Sequence, residues 1–137
     1  MREGKKGERN VMKPTANIMV VEDEGVVSID IRNMLKKAGY GIAAVAFQGE
    51  EAVEKAETTK PDLVLMDIGL KGEIDGIEAA KKIRERFHIP VVFLTGFADK
   101  YTMDKAKEAD PSGFIIKPIN EEELRRVLEQ ALTGINP

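Results

Sequence analysis

A chain of 137 residues has room for one hydrophobic core and is short for two, because separate cores usually take on the order of 100 residues each. With 42% hydrophobic and 33% charged residues it has the make-up of an ordinary globular protein, which excludes disordered, collagenous and membrane-spanning chains. The absence of cysteine and the single histidine remove thiol, disulfide and zinc-thiolate chemistry, and the net charge of -3 argues against nucleic acid as a direct partner.

Residues 1–16 carry Arg2, Lys5, Lys6, Arg9 and Lys13 against Glu3 and Glu8 and show no apolar period, so they are expected to form a flexible basic tail before a folded domain at 17–137. No segment has the ~18 apolar residues of a membrane span and the amino terminus lacks a signal peptide's apolar core, so no membrane insertion and a cytoplasmic location are expected. From Asn17 onward, short apolar runs alternate with helical periods. The run Ile18–Val21 predicts a first strand; Val27, Ile31, Met34, Leu35 and Ala38 mark one face of a first helix, which Gly39 is placed to stop. Ile42–Ala46 predicts the second strand and residues 49–58 a second helix with a weaker stripe. Leu63–Met66 is the third strand, followed by a helix on Ile77, Ala80, Ile83 and Phe87. Val91–Leu94 is the fourth, followed by a weak helix at about 99–109. Phe114–Ile116 is the fifth, before a helix on Leu124, Val127, Leu128, Ala131 and Leu132 that Asn120 is placed to cap. Uninterrupted apolar runs are how strands buried on both faces read. Five β–α units in series predict an α/β fold: a doubly wound, five-stranded parallel sheet with right-handed crossovers.

In such a sheet, ligands bind outside the carboxyl ends of the strands where the strand order reverses. The residues there are Glu22, Asp23 and Glu24 after strand one, Asp67 after strand three, Thr95 and Gly96 after strand four, and Lys117 and Pro118 after strand five. In the order 2-1-3-4-5, strands one and three are neighbours, so Glu22, Asp23 and Asp67 would share a pocket. Three carboxylates crowded together want a cation, and an all-oxygen set favours Mg2+. With Lys117 as a positive charge and Thr95 as a hydroxyl, the set suits a phosphoryl group, whose transfer is mostly positioning and charge neutralisation. Asp67 stands alone after an apolar strand and is the expected nucleophile, whereas the adjacent Glu22 and Asp23 are better suited to holding metal. Taken singly, acids at strand ends are ordinary solvated loop groups; their joint placement at four strand ends makes the site. His88, in a helix-to-strand turn, falls at the opposite edge of the sheet, and Met19, Met34, Met66 and Met103 read as core filling.

With these residues in view, the chain resembles the response-regulator receiver domains of two-component signalling, a flavodoxin-like (βα)5 fold, over about residues 16–133. The motifs that carry the resemblance are Val21-Glu22-Asp23-Glu24, Pro61 to Asp67, Asp75-Gly76, Leu94-Thr95-Gly96 and Lys117-Pro118. The resemblance implies a phosphoacceptor signalling domain rather than an enzyme with turnover: a sensor histidine kinase donates a phosphoryl group to Asp67 with Mg2+. By position, Asp23 is similar to the direct metal ligand, Glu22 to the acid acting through water and Gly69 to the residue lending a backbone carbonyl. Thr95 is similar to the hydroxyl that turns to the phosphoryl group, Lys117 to its ion-pair partner and Phe114 to the aromatic that reports the switch; a cis Lys117–Pro118 bond is implied as well.

The loop from Asp67 to Gly76 departs from the pattern by one extra residue and a missing proline, yet the Gly69 carbonyl precedes the insertion. Gly69 and Phe97 offer no side-chain hydrogen bond to a hydrolytic water, so slow self-dephosphorylation is expected. Phosphorylation is expected to switch the face of helix four, strand five and helix five. With no output domain after helix five, the signal is expected to leave through a separate effector, a homodimer across that face or onward phosphotransfer. Glu121, Glu122, Glu123, Arg125 and Arg126 on helix five suit pairing in trans, or a simply solvated face. Two rivals are a Mg2+-dependent phosphohydrolase with an aspartyl nucleophile and a flavodoxin-like binding module. The first usually places its nucleophile after strand one, and the second needs a Gly/Ser/Thr-rich loop where three acids stand.

Overall fold

A computed structural model describes residues 15–96 and 99–134; the expected tail, apart from Thr15 and Ala16, and Phe97 lie outside the described residues. In chain order the elements are β1 (Asn17–Val21), α1 (Gly25–Lys37), β2 (Gly41–Ala46), α2 (Gly49–Thr59), β3 (Leu63–Asp67), α3 (Gly76–Phe87), β4 (Val91–Thr95), α4 (Lys100–Glu108), β5 (Gly113–Ile116) and α5 (Glu121–Thr133). The strands form one parallel sheet in the order β2-β1-β3-β4-β5.

Side chains alternate across the sheet, and the two faces have separate cores. Met19, Val21, Val64, Met66, Val91 and Phe93 pack under α2, α3 and α4 with Ala52, Ala56, Ile77, Ala80, Ile83 and Ala106. Ile18, Val20, Leu63, Leu65, Val92, Leu94 and Ile115 pack under α1 and α5 with Ile31, Leu35, Leu124, Val127 and Leu128. The helices start and stop where local chemistry allows. Asp75, Asp99 and Asn120 cap α3, α4 and α5 by accepting from the N–H of Glu78, Thr102 and Glu123 at 2.8, 2.8 and 3.0 Å. Gly39 at φ +95° follows α1, and His88 at φ 58° closes α3 at the amino ends of the strands, away from the acids.

The sequence leads one to expect every strand to be buried on both faces, and β2 is not. Its residues Gly41–Val45 are only half-buried, because β2 is an edge strand. At the other edge, Ile116 closes β5 with 59% exposure.

Register positions the site. Val21 of β1 lies beside Met66 of β3, so the next residues, Glu22 and Asp67, come level. Asp67 is beside Leu94, and Thr95 beside Ile116, which places Lys117 one step beyond. The Lys117 N–H donates to the Thr95 carbonyl at 2.8 Å, and the Lys117–Pro118 peptide bond is cis.

Candidate functional site at the carboxyl ends of β1, β3, β4 and β5

Among the described residues the buried polar side chains are Glu22, Ser28, Asp67 and Thr95. Glu22, Asp67 and Thr95 lie at adjoining strand ends, where burial of a charge must be compensated. Glu22 is 0% exposed, with Oε2 accepting from the Glu24 N–H at 3.2 Å and Oε1 2.8 Å from Lys117 Nζ. That short approach is an ion pair lying off the angle of a hydrogen bond. Asp67 is 7% exposed; its Oδ1 accepts from the Gly69 N–H at 3.0 Å and lies 3.5 Å from Lys117 Nζ. Asp23, half-buried, completes a cluster in which one carboxylate oxygen from each of Glu22, Asp23 and Asp67 lies within 4.8 Å of the others.

At 4.8 Å two like charges repel by about 3 to 4 kcal/mol at an effective dielectric of about 20. Burial pushes the Glu22 carboxyl above its ordinary value; Lys117 opposes the rise and the Asp67 charge adds to it. Burial alone would lower the Lys117 ammonium, but contact with Glu22 and the charge of Asp67 outweigh it and hold it above its ordinary value. The rise at Glu22 is mainly the work of burial and the rise at Lys117 that of the two acids beside it; with three carboxylates facing one ammonium, added positive charge is favoured at this end of the sheet. Because Glu22 is already engaged by Lys117 and the Glu24 N–H, Asp23 and Asp67 hold the more available oxygens. The donor set, all carboxylate and partly open on the Asp23 side, fits a hard divalent ion.

Thr95 closes β4 at 6% exposure. Phe114 is half-buried, its ring tilted 33° against Phe93 with centroids 5.8 Å apart. The structure thus gathers Glu22, Asp23, Asp67 and Lys117, with the Gly69 N–H bonded to Asp67 and Thr95 at the adjoining strand end, whereas Phe114 lies on β5 beside Phe93, three residues before Lys117. Two features escape the sequence reading. Lys117 pairs most closely with Glu22 instead of standing across from the acids as an isolated charge. Gly76 is the other: a Cβ there would collide with the Asp67 carbonyl oxygen, so α3 starts against the main chain of Asp67 only because residue 76 has no side chain. The pairing of Asp75, a cap, with a glycine at the start of an amphipathic helix was the available signal.

A doubly wound sheet with an acidic, lysine-paired pocket at its switch point defines a class of signalling domains, and a profile of the response regulator receiver domain matches residues 18–129. This chain belongs to the response regulator receiver family of two-component systems. It is 36% identical over 116 residues to the transcriptional regulatory protein PdtaR of Mycobacterium tuberculosis, covering 85% of this chain and 56% of that protein. It is 33% identical over 108 residues to the alkaline phosphatase synthesis transcriptional regulatory protein PhoP of Bacillus subtilis, covering 78% and 44%. The chain therefore spans about half the length of the curated relatives it matches. Among solved structures, the signal receiver domain of a modulated diguanylate cyclase from Desulfovibrio desulfuricans G20 superposes with a TM-score of 0.85 at 33% identity, over 88% of this chain and 96% of that one. Among the described residues, no helix is long and apolar enough to cross a membrane.

Proposed function

We propose that this receiver domain takes a phosphoryl group onto Asp67 from the phosphohistidine of a sensor histidine kinase. The observation that carries the reading is the placement of Asp67: 7% exposed, within 4.8 Å of Glu22 and Asp23, and 3.5 Å from Lys117 Nζ. A carboxylate oxygen of Asp67 forms a bond to phosphorus while the P–N bond breaks, its electron pair returning to the ring. The imidazole, protonated at its other nitrogen, leaves neutral. Lys117 meets the incoming negative charge, and the Thr95 hydroxyl turns to a phosphoryl oxygen. Asp23, Asp67 and the backbone carbonyl of Gly69 would hold Mg2+, with Glu22 acting through water. When bound, the ion neutralises phosphoryl charge in the crowded pocket.

Occupancy of the site draws Thr95 inward, and Phe114, packed on Phe93, follows; this biases the α4-β5-α5 face toward an effector protein or a second copy of the chain. Neither glycine nor phenylalanine, the residue types at positions 69 and 97, has a hydrogen-bonding side chain to guide a water, so the aspartyl phosphate is long-lived. The domain works in the cytoplasm and signals by occupancy, not by turnover of a substrate.

The test incubates the 137-residue chain with Mg2+ and acetyl phosphate and follows its intact mass. The wild type is expected to gain one phosphoryl group, and Asp67→Asn none. Failure to gain it, or steady hydrolysis of a generic phosphomonoester, would replace this reading with that of a silent receiver or a phosphohydrolase.

A further inference from the structure

The segment from Ile68 to Asp75 joins β3 to α3 and is pinned at both ends. At its start the Gly69 N–H donates to Asp67 Oδ1 at 3.0 Å, and at its end Asp75 caps α3. Leu70 and Ile74 turn into the core beneath α2 and α3, so the exposed part of the loop is Lys71, Gly72 and Glu73. Gly72 takes φ +126°, a conformation side chains rarely adopt, and this excursion lays the loop against the first turn of α2.

What it meets there is Glu50. Its Oε2 accepts from the Glu73 N–H at 3.0 Å, and its Oε1 is buried without a hydrogen-bond partner, 3.4 Å from where a Cβ on Gly72 would sit. One residue earlier, Gly49 lies so close under Ile74 that a Cβ would stand 2.8 Å from Ile74 Cγ1 and 2.9 Å from its carbonyl oxygen. A carboxylate oxygen held out of water is costly, and the first turn of a helix, where the dipole favours negative charge, offsets only part of that cost. Among the described residues, the hydrogen-bond partner of Glu50 is the loop's main chain and not a cation.

We propose that Glu50 is a positioning residue for the phosphoacceptor loop. By holding the excursion at Gly72 and Glu73 against α2, it keeps the loop from pulling on the turn at Gly69 and so preserves the contact between the Gly69 N–H and Asp67. The consequence for phosphotransfer rests on the reading of Asp67 given above; the effect on Gly69 does not.

The experiment compares the full-length, 15N-labelled wild type with Glu50→Ala, Glu50→Gln, Gly72→Ala and Asp67→Asn. It follows the Gly69 amide resonance, Mg2+ half-saturation and phosphorylation by acetyl phosphate. Glu50→Ala shifts the Gly69 resonance and raises Mg2+ half-saturation several-fold, less than the roughly tenfold or more that loss of a partner bonded directly to a ligand costs. Glu50→Gln, whose amide oxygen still accepts from the Glu73 N–H, stays near wild type. An unmoved Gly69 resonance in Glu50→Ala, or a Glu50→Gln variant as impaired as the alanine, overturns the proposal. Should Glu50→Ala not fold, Gly72→Ala decides: a Gly69 resonance unchanged there overturns it, and a shifted one supports it. A wild type that never gains a phosphoryl group sinks the functional reading alone, because the Gly69 response is measured without phosphorylation.

Discussion

At the scale of single residues, the site depends as much on what is missing as on what is charged. A methyl group at residue 76 has no room beside the Asp67 carbonyl oxygen, whereas one at residue 25, the first residue of α1, would meet nothing within 4 Å. Gly76→Ala is therefore expected to lose about 1 to 3 kcal/mol of stability and to slow phosphorylation by displacing Asp67. Gly25→Ala should gain about 0.4 to 1 kcal/mol with phosphorylation unchanged; urea unfolding and intact mass check both. Glu22 gives the site a pH signature. Its carboxyl is held above the ordinary 4.5 by burial, so above pH 4.5 the native state retains a proton that the unfolded chain has released. That contribution to stability is complete below 4.5 and is lost as the pH climbs through the raised native value. In metal-free buffer, Glu22→Gln should gain on the wild type in unfolding free energy as pH rises from 4.5; a difference flat with pH would mean that Lys117 compensates Glu22 fully. The acids, Thr95 and Lys117 were legible in the sequence because each follows an apolar run; the contact of Gly76 was not, since the Asp75-Gly76 pair marks where a helix starts but not which main chain it meets.

At the scale of elements, the helices are unequally anchored. α3 buries Ile77, Ala79, Ala80 and Ile83 and α5 buries Leu124, Val127 and Leu128, whereas Ala106 is the buried residue of α4. Little apolar contact means a low cost of local opening. Amide hydrogens of α4 should exchange faster than those of α3 and α5, and acetyl phosphate with Mg2+ should change protection most in α4 and β5; uniform exchange across the three helices would count against a switch on that face. The weak stripe at 99–109 already carried this information, as did the strong stripes of the third and fifth helices. The edge position of β2 follows from the expected order 2-1-3-4-5, but its half-burial was not readable from the run itself, because Ile42–Ala46 is as uninterrupted as the inner strands. The structure deals with that edge through α2: Lys55 Nζ donates to the Val45 carbonyl at 2.6 Å, and Glu51 accepts from the Phe47 N–H at 2.8 Å. Both occupy main-chain groups that another strand would otherwise pair with.

At the scale of the molecule, the sheet gathers charge that would repel without a compensating cation, so Mg2+ binding at the cluster is expected to be coupled to folding. Mg2+ at about ten times its dissociation constant should add roughly 1.4 kcal/mol to the unfolding free energy. Asp23→Asn should abolish that gain while leaving the metal-free protein folded; a melting temperature indifferent to Mg2+ in the wild type would contradict the coupling. Periodicity, caps and residue types settled the number and kind of elements, their order along the chain and which side chains end each strand, because those are local properties of a polymer with periods of 2 and 3.6. Tertiary structure alone decided that Lys117 leans on Glu22, that Gly76 admits α3 against Asp67, and that Glu50 receives the loop between β3 and α3. Each of these joins residues of different elements, and their distances depend on register and packing, which no local pattern encodes.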